Sequence, residues 1–240
     1  MNLTTLASTS TTAERHAVER STATVRVRPV RSASDLEGAV AVRRAAYGRH
    51  DGAWSRLLES TDPDDASPHA RVLIAQGAHA TAGADVIGTI RLHDNRHAPL
   101  PVESAATLPP ALQGVRLIEA TRLAVSSPHS ALGRAARDAL FKACWLHAIE
   151  IGAAWIVATA CGPVERVYES LLFEDVFEPG HRVRLPYCID RPYRVMALQL
   201  EHAAAMWIKR RHPLLDFMFE VRPGEIELGR APERLATALE

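Results

Sequence analysis

Valine and arginine alternate one for one from Val25 to Arg28, the period-two pattern of a half-buried edge strand. Ser34-Asp-Leu-Glu37 then has the form of a capping box, with Ser34 the predicted N-cap of a helix running to about Tyr47. A long irregular segment punctuated by Gly52, Pro63 and Pro68 follows. Two strands are predicted over 71–76 and 86–93, split by a Gly/Ala-rich turn. A proline-rich loop (Pro99, Pro101, Pro109, Pro110) leads to a strand-like run over 116–125. Over 132–151 the spacing is helical: Leu132, Ala136, Ala139, Leu140, Ala143 and Leu146 form one stripe, with Arg134, Arg137 and Asp138 off it. Residues 153–160 are continuously apolar with β-branched members, which fits a buried parallel strand. Pro163 suits the first turn of a helix reaching about Leu172, and 193–200 supplies a closing strand. With no internal repeat and no linker, one α/β domain over 25–222 is expected. It is flanked by a Ser/Thr-rich tail (1–24), expected to be disordered, and a C-terminal tail (223–240) in which 231–239 could form a short helix.

Composition narrows the function classes. The 240 residues carry 28 Lys+Arg against 28 Asp+Glu, so the formal charge is zero and the basic excess of a nucleic-acid binder is missing. Cys144, Cys161 and Cys188 are too few and too scattered for a disulfide framework or a zinc site, and no metal is implied. The N-terminal stretch lacks the apolar core of a secretory signal, and no apolar run approaches the roughly 20 residues of a membrane span. A soluble, cytoplasmic protein is therefore expected.

Candidate chemistry begins where charges interrupt apolar runs. In Arg116-Leu-Ile-Glu119-Ala-Thr121-Arg122-Leu-Ala-Val125, a carboxylate and a guanidinium sit three residues apart inside a strand pattern. Unpaired ionised groups are strongly disfavoured in a packed sheet, so Glu119 and Arg122 must pair or face a cleft. Strict alternation points them to opposite faces; a bulge between them would bring both to one. Arg91 lies in a similar run, Asp62 and Asp65 form an acidic cluster upstream, and Arg43 and Tyr47 sit four apart on one face of the first helix. Cys161 is read as a buried, inert thiol.

The ordered set Arg43…Tyr47, Asp62-x-x-Asp65, Gly88-x-x-Arg91-Leu92 and Glu119-x-Thr121-Arg122 resembles the autoinducer-synthase branch of the GNAT fold. That branch holds the acyl-homoserine lactone synthases and the long-chain N-acyl amino acid synthases. The resemblance covers roughly 25–201. It implies a mixed central sheet flanked by helices, with an acyl thioester held where two parallel strands splay apart, here those of Glu119 and of 153–160. Free main-chain N–H groups near Leu123, Ala124 and Val125 would hold the oxyanion. Glu119 would be the general base, with Arg122, Arg43 and Arg91 as forked donors to a substrate carboxylate. Asp62 and Asp65 would bind the substrate ammonium or hold the arginines. Thr121, Tyr47 and Trp54 would belong to the acceptor side.

Tyr168-Glu-Ser-Leu-Leu-Phe173 is similar to the GNAT Tyr-Glu-x-Leu-Gly-Phe segment, whose tyrosine can protonate the leaving thiolate; Leu172 replaces the glycine. Ser130-Ala-Leu-Gly133-Arg134-Ala135 partly matches the phosphate-binding turn. The resemblance implies no bound cofactor and, as co-substrate, an acyl-phosphopantetheine on acyl carrier protein or an acyl-CoA. Arg134, Arg137 and Lys142, or Lys209-Arg210-Arg211, could dock the acidic carrier. The expected activity is transfer of a fatty acyl group to the α-amine of a small amino acid. A homoserine lactone synthase using S-adenosylmethionine is the rival within the fold, disfavoured by Ile118 and Tyr47 where lactone synthases carry aromatic and phenylalanine residues. A catalytically silent acyl-binding module is the alternative outside it.

Overall fold

Alternation along the strands decides what each face of the sheet can bury. A computed structural model describes residues 25–58, 62–77, 86–219 and 225–228. The elements run β1 (Val25–Pro29), α1 (Ala33–Gly48), α2 (Gly52–Leu57), β2 (Ala70–Gly77), β3 (Val86–Asp94), β4 (Leu117–Val125) and α3 (Ala131–Glu150). Then come β5 (Trp155–Ala160), α4 (Pro163–Ser170), β6 (Glu174–Asp175), β7 (Val183–Arg184), β8 (Pro192–Gln199), α5 (Leu200–Lys209) and α6 (Leu215–Phe219). The sheet order is β1-β2-β3-β4-β5-β8-β6, with β7 beside β8. Only β4 and β5 pair in parallel among these strands.

One face is apolar. Ile90, Leu92, Ile118, Ala120, Ile156 and Ala158 pack against Ala136, Leu140, Ala143 and Trp145 of α3, with Trp207 of α5 stacked on Trp145 at 5.4 Å. Gly88 permits the approach: a Cβ there would lie 3.0 Å from Leu140. On the other face α1 lays down Ala39, Val42, Arg43 and Ala46, a stripe that buries an arginine among small apolar residues.

Several expectations shift. The N-cap of α1 is Ser32, whose hydroxyl accepts the Asp35 amide at 3.1 Å, so Ser34 lies within the first turn and the Ser34/Glu37 box does not form. Helix α2 and the two-residue strands β6 and β7 arise in stretches too short to show a period. Along α3 the buried arc is wider than one stripe: Asp138 is buried, and Lys142 is buried with its ammonium donating to the Phe217 carbonyl at 2.6 Å. Lys142 is therefore no part of a docking surface, while Leu132, placed on the stripe, is exposed.

The expected tail at 1–24, the β2–β3 turn and the helix at 231–239 lie outside the described residues. Residues 225–228, within the stretch read as a C-terminal tail, run beside β1. Ile226 bridges Val27 in parallel, and the Val27 amide donates to the Glu225 carbonyl at 2.7 Å. No helix among the described residues is long and apolar enough to cross a membrane.

Candidate active site

The site begins where two strands stop pairing. β4 and β5 are in register from Leu117/Trp155 to Ala120/Ala158, and beyond that point both continue without each other. On its other edge β4 carries a bulge. Thr89 faces Ala124 and Arg91 faces Thr121, which leaves Ile90 opposite both Arg122 and Leu123. Arg122 takes φ 55°, a left-handed conformation that costs a side-chain-bearing residue about 1–3 kcal/mol. The extra residue changes the parity of the strand. Ile118 and Ala120 belong to the α3 core and Glu119 to the opposite face; after the bulge Val125 rejoins the α3 core while Ala124 packs on α1. Arg122 is thereby turned to the side of Glu119.

The opening is a cleft of about 110 Å³. Thr121, Arg122 and Leu123 border it from β4, Thr159, Ala160 and Cys161 from the end of β5, and Tyr168 from α4. Tyr47, Trp54, Tyr187 and Tyr193 supply an aromatic wall. Arg122 lies over the Trp54 ring at 5.4 Å, and the Tyr47 ring is 5.0 Å from that of Trp54. Cys161 is thus a cleft residue rather than a buried one.

Behind Arg122 the charges form a network. Arg122 donates to Asp62 at 2.7 and 3.0 Å and to the Tyr187 carbonyl at 2.9 Å. Arg91 reaches Asp62 at 3.0 Å and Asp64 and Asp65 at 3.2 Å, and Arg43 reaches Asp65 at 2.6 Å. Arg43 and Arg91 are fully buried and do not border the cleft. Three guanidiniums thus face three carboxylates, the composition that makes burying them tolerable. Burial pushes the Asp62 carboxyl up, but Arg91 and Arg122 more than offset it and hold it below its usual range. Thr121 accepts from Arg91 Nε at 3.2 Å. Asp62 and Asp65 are committed to arginines, and Arg122 is the member of the network that reaches the cleft.

Glu119 has a different environment. It is fully buried, and its two hydrogen bonds come from the Val102 amide at 2.9 Å and the Tyr187 hydroxyl at 3.2 Å. No cation pairs with it among the described residues. Burial therefore dominates and raises its pKa to about 7, against the opposing pull of those two donors. Its cross-strand neighbour is His93, buried on β3. Burial, reinforced by the Arg91 charge, lowers the His93 pKa to about 3 and keeps that ring neutral.

Tyr168 is buried at the cleft, and burial drives its pKa far up, which favours the protonated phenol. Tyr47 donates to the Leu123 carbonyl at 2.9 Å. Ala124 and Val125 stay paired with β3 and do not border the cleft. At the N-terminus of α3 the Gly133 amide is already taken by Ser130 Oγ at 2.9 Å, and Ser127 crowds Gly133 so closely that a Cβ would meet its carbonyl at 1.8 Å. Arg134 turns back to the His129 carbonyl at 2.5 Å. Neither Gly133 nor Arg134 reaches the cleft. Sequence reasoning missed Tyr187, Thr159, Cys188, Tyr193 and Arg191. Tyr187 meets Glu119 across 68 positions of chain from an irregular loop, so no periodicity could have marked it.

The family model of the N-acyl amino acid synthase FeeM matches residues 38–199. The chain belongs to that family. The family residues span α1 to β8 and therefore include the strand opening, the arginine–aspartate network, Glu119 and Tyr187. Among solved structures, FeeM from uncultured soil microbes superposes with TM-score 0.54 at 18% identity, covering 77% of this chain and 95% of FeeM. BjaI, a CoA-dependent acyl-homoserine lactone synthase, superposes with TM-score 0.52 at 15% identity, covering 88% of this chain and 95% of BjaI. No curated protein matches the sequence. The fold is the GNAT fold, and the FeeM-family chain is an acyltransferase acting on nitrogen.

Proposed function

We propose that this FeeM-family chain moves a fatty acyl group from an acyl carrier protein thioester to the α-amine of an amino acid, giving an N-acyl amino acid. The observation that carries this reading is the strand opening itself. A guanidinium faces the cleft there, and a wholly buried carboxylate, paired with no cation among the described residues, lies one residue pair below the point of divergence. In the proposed reaction the acceptor's carboxylate is held by Arg122, and its ammonium gives up a proton that ends on Glu119. The neutral amine attacks the thioester carbon, and the oxyanion is held by main-chain N–H near Leu123. Collapse breaks the C–S bond: Tyr168 protonates the departing thiolate and recovers its proton from the nitrogen, which sheds its second proton as the amide forms.

A pKa near 7 leaves Glu119 ionised in part at neutral pH, as a base for an ammonium requires. The carrier reading draws on Arg137, whose side chain is 30% exposed beside Asp138, and on the exposed run Lys209-Arg210-Arg211. Reversing the charges of Arg134 and Arg137 should raise KM for a carrier-bound donor and spare a short pantetheine thioester; equal effects on both donors would sink the docking proposal.

The test of the whole reading is mass spectrometry after incubating the protein with long-chain acyl carrier protein, pooled amino acids and S-adenosylmethionine. An N-acyl amino acid supports it and names the acceptor. An acyl lactone with methylthioadenosine overturns it in favour of the lactone reaction, and retained carrier binding without product would favour a silent module.

A further inference from the structure

The proposed base does not touch the cleft in which it must act. Glu119 is 0% exposed and is not among the residues that border the opening. Its Oε2 is occupied by the Val102 amide, which belongs to the turn behind it. Its Oε1 accepts from Tyr187, and Tyr187 does border the cleft. Two further contacts hold Tyr187 in place. Arg122 Nη2 donates to its carbonyl at 2.9 Å, and Thr159, at the splayed end of β5, reaches its phenol. One residue, Tyr187, thus holds the Arg122 guanidinium through its backbone and contacts the base through its phenol.

We infer that Tyr187 is the proton relay of this acyltransferase: its hydroxyl takes the proton from the acceptor ammonium in the cleft while passing its own to Glu119. The inference rests on the proposal that Glu119 is the base. The step balances without a free tyrosinate. One N–H bond of the ammonium breaks as an O–H bond forms at Tyr187, and the phenolic O–H breaks as one forms at Glu119. The products are a neutral amine, an intact phenol and a carboxylic acid. A direct transfer would require Glu119, which does not border the cleft, to leave its two donors and move toward the opening. Tyr187 touches the substrate in this scheme and is a catalytic residue, distinct from Tyr168 on the thiolate side.

The test compares Tyr187→Phe, Glu119→Gln and the unchanged protein in release of thiol from dodecanoyl-pantetheine. Two acceptors are used at pH 7.5: the amino acid found by mass spectrometry, which is an ammonium, and hydroxylamine, which is already neutral. Removing one link of general base catalysis should lower kcat by about 100-fold or more with the ammonium acceptor in both variants. KM for the thioester should stay within about twofold, and with hydroxylamine both variants should recover most of their rate, since no proton need be removed before attack. Full activity of Glu119→Gln would remove the base and the relay with it. An inactive Glu119→Gln beside a fully active Tyr187→Phe would keep the base and overturn the relay. An equal loss of Tyr187→Phe with both acceptors would make Tyr187 a structural prop and likewise overturn it. Circular dichroism melts of the two isosteric variants accompany the assay, and Thr159→Val, which strips a neighbour from the phenol and leaves the Tyr187–Glu119 bond, gives a second reading: the relay predicts a loss confined to the ammonium acceptor.

Discussion

On the α3 face of the sheet, Leu140, Trp145 and Trp207 fill space with side chains that have no charge to satisfy; on the α1 face, Arg43, Arg91 and Arg122 occupy the equivalent depth and each depends on a named aspartate. Both faces are buried, but they fail differently. An apolar face loses contacts in proportion to the atoms removed, whereas a charged face that loses one partner keeps a buried ion with nothing to neutralise it. The charged face also contains an exception, Glu119, whose carboxylate has two donors but no ion-paired cation among the described residues. The face built from compensated charges therefore also carries one carboxyl whose pKa is raised to about 7, so that it is partly ionised at neutral pH, as a base for an ammonium requires.

The largest effect should come from breaking a compensated pair. Asp65→Asn leaves Arg43 buried without its counter-ion and should destabilise the fold by about 3–5 kcal/mol in chemical denaturation. Adding Arg43→Met should restore much of that loss, since a buried pair replaced by apolar groups is often near neutral. Leu140→Ala on the other face should cost about 2–5 kcal/mol, with no second substitution expected to repair it. If Arg43→Met fails to rescue Asp65→Asn, the two faces are not held as described.

Glu119 sharpens the comparison through pH. Its folded pKa of about 7 stands above the ordinary 4.5, so its contribution to stability is fully present below pH 4.5 and is lost as pH rises through 7. Glu119→Gln should thus gain stability relative to the unchanged protein between pH 5 and pH 8.5, by up to about 3 kcal/mol. A difference that stays flat with pH would mean that Glu119 is neutralised by a partner. His93 has the opposite sign: its pKa of about 3 against 6.5 means stability present above 6.5 and lost as pH falls toward 3.

The smallest effect tests the bulge. Arg122→Gly and Arg122→Ala both break the Arg122–Asp62 pair and leave Asp62 to Arg91, so their difference isolates the backbone. At φ 55° glycine should be the more stable by about 1 kcal/mol in thermal melts. Equal melting points would mean that the left-handed turn relaxes once the guanidinium is gone.

These two faces also differ in how far the sequence announces them. Helix α3 is legible because its apolar residues repeat at a helical period, strand β5 because it is a short continuous apolar run, and Pro163 marks the start of α4. Local rules went astray where a second serine two residues away takes the cap, Ser32 in place of Ser34, or where a lysine is buried with its ammonium on a distant carbonyl, as Lys142 is on Phe217. The charged face announces its members but not its pairings. Arg43 and Asp65 are 22 positions apart, Arg122 and Asp62 60, and Tyr187 and Glu119 68, distances over which no period carries information. That Glu119 and Arg122 share a face depended on the bulge, which a three-residue spacing demands but does not locate. Tyr187 was invisible because its role comes only from where its loop lands.

The central claim is that an uncompensated, buried carboxylate removes the acceptor's proton. The most direct measurement is kcat for N-acyl product formation from pH 5.5 to 9. The account predicts a rise through an apparent pKa of about 7 that disappears, with most of the activity, in Glu119→Gln. A profile that is flat over this range, or one that keeps its inflection in the Gln variant, would contradict it.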